Sequence, residues 1–247
     1  MNEATLRKLW DCYSRAGYER FYLIRVFKDH KKKLGELFLS ANNGVYLDAG
    51  CGTGNMFELI AERIQPSEVY AVDWSEEMSK KAEEEARRLQ HNSAKTEFKF
   101  FLSDLSKPLI WRDNFFDGIV ANLLICYLAC GWREALSELR RVLKTGGYLY
   151  LGTYLERFDW VVHPLEPWKH APEAFLLDPV GSFRGLKIKG MITKISEEAK
   201  KNGAEFPVRQ EVIDALESLG FGEMKVVTSH WGGAIVLRAR LASKACS

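Results

Sequence analysis

Cysteine pairs, long apolar runs and a surplus of either charge are all missing from this 247-residue sequence. Its five cysteines, at positions 12, 51, 126, 130 and 246, form neither a Cys-x-x-Cys pair nor a disulfide framework. That argues against a stapled fold and points to a reducing, cytoplasmic compartment. No apolar run approaches the ~20 residues needed to cross a bilayer, and the polar opening Met1-Asn-Glu-Ala reads as no signal peptide. Thirty-five Lys and Arg against thirty-three Asp and Glu leave a net charge of +2. A large polyanionic partner is therefore not expected, because RNA binding usually leaves a basic footprint. The acidic runs Glu76-Glu77 and Glu83-Glu84-Glu85 read as solvated helix faces rather than a metal site, and no metal is expected. Repeats and low-complexity tracts are absent too. With 47% hydrophobic residues, the chain can build one domain with a full core over residues 1–247.

What is present centres on Val45-Tyr-Leu-Asp-Ala-Gly-Cys-Gly-Thr-Gly54. Val45 to Leu47 form an apolar run without alternation, the signature of a parallel strand buried on both faces. Gly50, Gly52 and Gly54 then turn the chain into a helix expected from Asn55 to Ile64. Glycine permits positive φ and lets a ligand approach bare backbone, and the helix N-terminus is expected to add free N–H groups. A second strand, Glu68 to Asp73, ends on an acid nineteen residues past Gly54, where a carboxylate suits a ribose diol. The spacing is Gly-x-Gly-x-Gly, and Asn55 stands where the nicotinamide fingerprint needs its third glycine.

Asp48, two residues before the first glycine, repels a pyrophosphate and suits a cationic ligand. Asp-x-Gly-x-Gly-x-Gly followed by a strand-end acid resembles the class I, Rossmann-like S-adenosylmethionine (SAM)-dependent methyltransferases, with a methyltransferase type 11-like domain. The segment from Pro108 to Asn122, with Phe116-Asp117 opening a fourth strand through Ala121, resembles the same family, as does the Lys144-Thr-Gly-Gly147 turn before a fifth strand, Tyr148 to Thr153. The resemblance implies a seven-stranded, mostly parallel α/β sheet of order 3-2-1-4-5-7-6, strand 7 antiparallel, with helices on both faces. It also implies SAM as cofactor. Carried over residue by residue, the binding set is Asp48, Gly50, Cys51, Gly52, Gly54, Asp73, Trp74, Met78, Ser103, Asp104, Leu105, Asn122, Leu123 and Tyr127. Asp104 would take the adenine amine or else cap its turn. Trp74 would stack on a base or pack in the core. Cys51 reads as small filler, not a nucleophile.

Residues 1–41 read as a helical segment interrupted at Gly17. In it Tyr13 and Tyr18 resemble the family's cover over the methionine end of SAM, or else belong to an amphipathic helix packed on the sheet. Residues 42–153 form the SAM-binding core, with a third strand Glu97 to Leu102, a charged helix from Ser75 as N-cap to Gln90, and another from Trp132 to Lys144. Residues 154–207, rich in proline and aromatics, read as a cap inserted after strand 5; its Arg184, Lys187, Lys189 and Lys194 form a solvated surface or meet an acidic substrate group. Residues 208–247 give a helix and a terminal hairpin. Methyl transfer needs a base only when the nucleophile arrives protonated; His163, His170, Tyr127 and His230 are the candidates. The expected acceptor is a small molecule with an aromatic or apolar part. An RNA or protein acceptor, and a SAM-binding protein without turnover, are the alternatives.

Overall fold

The computed structural model describes residues 3–15, 25–41, 43–91, 95–156 and 193–242. Seven strands form one sheet: β1 (Val45–Ala49), β2 (Glu68–Asp73), β3 (Glu97–Leu102), β4 (Phe116–Asn122), β5 (Leu143–Tyr154), β6 (Phe221–Ser229) and β7 (Ala234–Leu241), in the order β3-β2-β1-β4-β5-β7-β6. β7 runs antiparallel to both its neighbours, while β1 to β5 pair in parallel. This is the expected order and sense.

Helices cover both faces because the central strands are apolar on both. On one face α5 (Trp132–Val142) buries Trp132, Ala135, Leu136, Leu139 and Val142, one stripe at helical spacing, against Phe116, Ile119 and Leu149. On the other, Leu34 of α2 (Arg25–Gly35), Ala82 and Ala86 of α4 (Glu76–His91), and Phe57 and Ile60 pack on Tyr46, Val69 and Tyr150. The helix α7 (Arg209–Ser218) lies with the first group through Val212 and Leu216. Asp117 locks the base of the sheet: its Oδ2 accepts from the Val45 N–H at 2.8 Å and its Oδ1 from Lys144 Nζ at 2.7 Å.

Three boundaries differ from expectation. The first crossover is a short α3 (Phe57–Leu59) that widens into a π turn (Ile60–Ile64), because hydrogen-bonded turns through Cys51, Gly54 and Phe57 occupy the residues before it. α5 stops at Val142 and β5 starts at Leu143, five residues earlier than expected, with Leu143 already paired to Phe116. A side chain at Gly147 would lie 2.7 Å from the Asp117 carbonyl oxygen, so glycine here lets the chain run close against β4. At the N-terminus, α1 (Glu3–Arg15) and α2 are separate helices, and Gly17 lies outside the described residues. Of the expected cap, residues 154–156 and 193–207 are described; 193–201 form a helix, α6. Among the described residues, no helix is long and apolar enough to cross a membrane.

Candidate functional site

The loop after β1 rises at the carboxyl ends of the parallel strands. Gly50, Gly52 and Gly54 have φ of 69°, 54° and 82°, which side chains rarely adopt. The three do different jobs. Gly50 and Gly52 line a cleft, whereas a side chain at Gly54 would lie 2.8 Å from the Phe57 ring, so Gly54 serves helix packing. The N–H groups of this loop are not free as expected. Gly50 and Cys51 both donate to the Val72 carbonyl (2.8 and 3.0 Å), Gly52 donates to Asp73 Oδ2 (2.9 Å) and Gly54 to the Cys51 carbonyl (3.0 Å).

Asp73 is thereby built into the loop: its Oδ1 also accepts from the Ser75 N–H at 2.9 Å. Burial raises its carboxyl above the usual range, and the hydrogen bonds from Ser75, Gly52 and Trp74 work against that shift. Asp48 sits beneath, 1% exposed, with no hydrogen-bond partner for Oδ2 among the described residues. Burial, and secondarily the charge of Asp73, push its carboxyl up to about 8.

The cleft encloses about 810 Å³, counting its open mouth. It brings together Gly50, Gly52, Asp73, Trp74, Met78, Ser103, Asp104, Leu105, Asn122, Leu123 and Tyr127 of the expected set. Asp104 Oδ1 accepts from the Ser106 N–H at 2.9 Å, a turn-capping contact, while Oδ2 pairs with Lys107 at 3.1 Å. Asp48, Cys51, Gly54 and Tyr13 do not line it. Cys51 is buried, with its thiol near the Gly52 carbonyl (3.7 Å) and its ionisation pushed far up by burial, so it is packing. Tyr13, 3% exposed, packs with Leu6, Met78 and Ile195; Trp10, one turn earlier on α1, is the aromatic that faces the cleft. Tyr18, His163 and His170 lie outside the described residues.

Leu6, Trp10, Ser106, Leu128, Ala129 and Asn202 also line the cleft and were not singled out from the sequence. Trp10 stood in the apolar stripe of the first helix, but its rotation toward the cleft depends on contacts with α4. Nothing local marks Asn202. Trp10 meets Tyr127 edge-on at 5.4 Å, and Tyr127 meets Phe206 edge-on at 5.7 Å, so this end of the cleft is an aromatic wall. Among the described residues no Lys, Arg or His lines the cleft. His230 is 1% exposed and lies behind His30, not at the cleft, and burial holds it well below the usual imidazole range; this removes it as a base.

A sheet in this order, with a glycine loop at the crest of β1 and acids closing β2 and following β3, defines the Rossmann-like class I methyltransferase fold. Solved structures agree on the fold. A chain of the Haloferax volcanii complex between the Trm112 methyltransferase activator and a methyltransferase superposes with TM-score 0.63 at 15% identity, covering 95% of this chain and 98% of that one. A SAM-dependent methyltransferase of Thermotoga maritima gives 0.57 at 19% identity over 94% and 99%. One from Aquifex aeolicus gives 0.56 at 22% over 87% and 90%. Residues 47–151 match the family model described as a methyltransferase domain. An uncharacterized chloroplastic methyltransferase of Arabidopsis thaliana is 26% identical over 136 residues, 53% of this chain and 38% of that protein, so the chain spans well under half of that relative's length. Residues 47–151 are therefore similar to a methyltransferase domain, and SAM is the cofactor which that similarity implies.

The residues present fit that cofactor. Gly50 and Gly52 leave backbone bare at the cleft. Asp73 retains lone pairs for a diol after accepting two N–H groups. The buried Asp48 oxygen without a partner lies beneath the loop, where a cationic ligand would favour the ionised form of its raised carboxyl.

Proposed function

We propose that the protein methylates a small molecule with an aromatic or apolar part, using SAM as donor. One observation carries this reading: a single cleft is lined by Gly50, Gly52, Asp73 and Asp104 together with the edge-on Trp10–Tyr127 pair, with no cationic side chain among its described lining. A nucleic-acid acceptor would be better served by basic residues. SAM supplies an electrophilic methyl on a sulfonium. The chain's work is then alignment and exclusion of water, and alignment can be worth ~7–11 kcal/mol of a barrier. Asp73 and Asp104 hold the nucleoside end, Met78 and Leu105 give it apolar contact, and Trp10 and Tyr127 enclose the acceptor. Tyr127 is the base candidate that reaches the cleft among the described residues. Among the described residues Cys12, Cys51, Cys126 and Cys130 are in no disulfide, which supports work in a reducing compartment such as the cytoplasm.

Two measurements test the reading. At ~100 times its Kd, SAM should stabilise the protein by about 2.7 kcal/mol; Gly52→Val, placing a branched side chain at φ 54° on the cleft wall, should abolish that shift. Incubation of labelled SAM with a cell extract should place label in the small-molecule fraction. Label in RNA or protein would show a macromolecular acceptor, and binding without transfer would show a SAM-binding protein.

A further inference from the structure

Behind the cleft floor runs a chain of buried polar groups that the proposed function does not use. Asn122, the last residue of β4, lines the cleft, and its Oδ1 lies 2.8 Å from His30 Nε2. His30 Nδ1 lies 2.7 Å from Ser229 Oγ, and that hydroxyl is 3.3 Å from His230 Nδ1. His30 is completely buried, and burial depresses its imidazole to about 4, so it is neutral over the physiological range. Donor roles follow by elimination. An amide oxygen only accepts, so His30 Nε2 carries the single ring proton and donates to Asn122; Nδ1 then accepts from the Ser229 hydroxyl. The Asn122 carbonyl is thereby turned toward α2, and its NH2 group makes no hydrogen bond among the described residues.

The chain has made room for this contact. Gly152 of β5 pairs with Asn122 across the sheet, and a side chain there would land on Asn122 Oδ1 and lie 2.7 Å from His30 Nε2. A glycine in mid-strand is otherwise unfavourable.

Asn122 also stands beside the glycine loop. Ala49 and Ala121 are register partners, so Gly50 and Asn122 follow on adjacent strands. An amino-acid carboxylate held at this crest meets an acidic neighbourhood, with Asp73 and Asp104 in the cleft and no cation in its described lining. The loop N–H groups of Gly50, Cys51, Gly52 and Gly54 are already engaged internally. Among the described residues a neutral donor is then what can supply the contact, and the Asn122 NH2 is placed to do so.

We infer that Asn122 is a binding residue whose side-chain amide donates to the carboxylate of the cofactor's amino-acid end, and that His30, backed by Ser229, is the positioning residue that aims it. This rests on the SAM reading above. The test uses calorimetric titration of S-adenosylhomocysteine, which has the amino-acid end, against 5′-methylthioadenosine, which lacks it. Wild type should bind the first more tightly. Asn122→Ala should weaken S-adenosylhomocysteine about tenfold or more and leave 5′-methylthioadenosine within about twofold, the selective loss expected for a hydrogen bond to a charged group. Asn122→Asp should weaken S-adenosylhomocysteine further, carboxylate facing carboxylate. His30→Ala should show the same selective loss, and His30→Gln, which keeps an N–H donor, should recover part of it. A role confined to holding the fold would not move the ratio of the two affinities. An unchanged ratio in both Asn122 variants, or equal loss of both ligands, overturns the assignment. So does tighter S-adenosylhomocysteine binding by Asn122→Asp, which would put the ammonium there instead. An unchanged ratio in both His30 variants removes the positioning role. Wild type binding neither ligand would instead strike down the SAM reading itself.

Discussion

At the scale of single residues, the close contacts are made at glycines, and each has its own reason. Gly118 leaves space for the Tyr46 ring, Gly54 for Phe57, and Gly152 for the His30–Asn122 hydrogen bond. The last offers the sharpest stability test. Gly152→Ala puts a methyl group into an occupied position, so either the pair separates or β5 shifts. Overpacking costs ~1–3 kcal/mol, and a buried polar group stripped of its partner costs another ~1–3 kcal/mol. Urea unfolding should therefore show a loss of about 2–6 kcal/mol. Gly222→Ala is the control, since nothing lies within 4 Å of the added methyl, and it should stay within ~0.5 kcal/mol of wild type. Equal effects at the two sites would mean that the His30–Asn122 contact is not the constraint on Gly152.

At the scale of elements, the site depends on how α1 is held over the sheet. Ser75 does two things at once. Its Oγ accepts from the Met78 N–H at 3.2 Å, capping α4, and its hydroxyl donates to Asp11 Oδ1 of α1 at 2.5 Å. Lys81 adds a second tie, donating to the Ser14 carbonyl at 2.5 Å. Ser75→Ala should therefore cost more than the ~1 kcal/mol of an ordinary N-cap; about 2 kcal/mol by urea unfolding is expected. Faster amide exchange in residues 4–15 than elsewhere would show that α1 has loosened, and unchanged exchange there would deny the tie. The cap at Ser75 is legible in the sequence, because Ser followed by acids announces a helix start. So is the crest loop, from its glycine spacing after the apolar run Val45–Leu47, while the strand order follows from the family resemblance which that loop carries. The start of β5 is not: Lys144-Thr-Gly-Gly reads as a helix cap, and only contact with the Asp117 backbone shows it to be sheet. Trp10 rather than Tyr13 faces the cleft because the rotation of α1 is set by partners such as Ser75, 64 residues away. His30 and Asn122 are 92 residues apart, and no local pattern joins them.

For the molecule as a whole, the buried titratable groups dictate how stability without ligand should vary with pH. His30 falls from 6.5 to about 4 on folding, so between those values the unfolded chain holds a proton that the folded one lacks, and stability rises with pH. His230 shifts the same way. Asp48 does the reverse. Its carboxyl rises from 3.8 to about 8, so across that window the folded protein keeps a proton the unfolded chain has lost, and stability falls as pH rises. Asp73 is raised too and adds to that fall. Below pH 6.5 the two histidines oppose the acids; above it Asp48 acts without opposition from them. The midpoint temperature of the ligand-free protein should therefore decline from about pH 6.5 toward pH 8. Asp48→Asn removes the Asp48 contribution to that decline, because a neutral amide in that buried place has no proton to lose. In scanning calorimetry the variant should have the flatter profile above pH 6.5 and the higher midpoint at pH 8, by roughly 2–4 °C for each kcal/mol recovered. Its stabilisation by SAM should shrink at the same time, since the carboxyl that a bound sulfonium and ammonium would draw into its ionised form is gone. A variant that declines as steeply as wild type, or that keeps the full ligand shift, would show that Asp48 neither carries the buried charge nor faces the cofactor's.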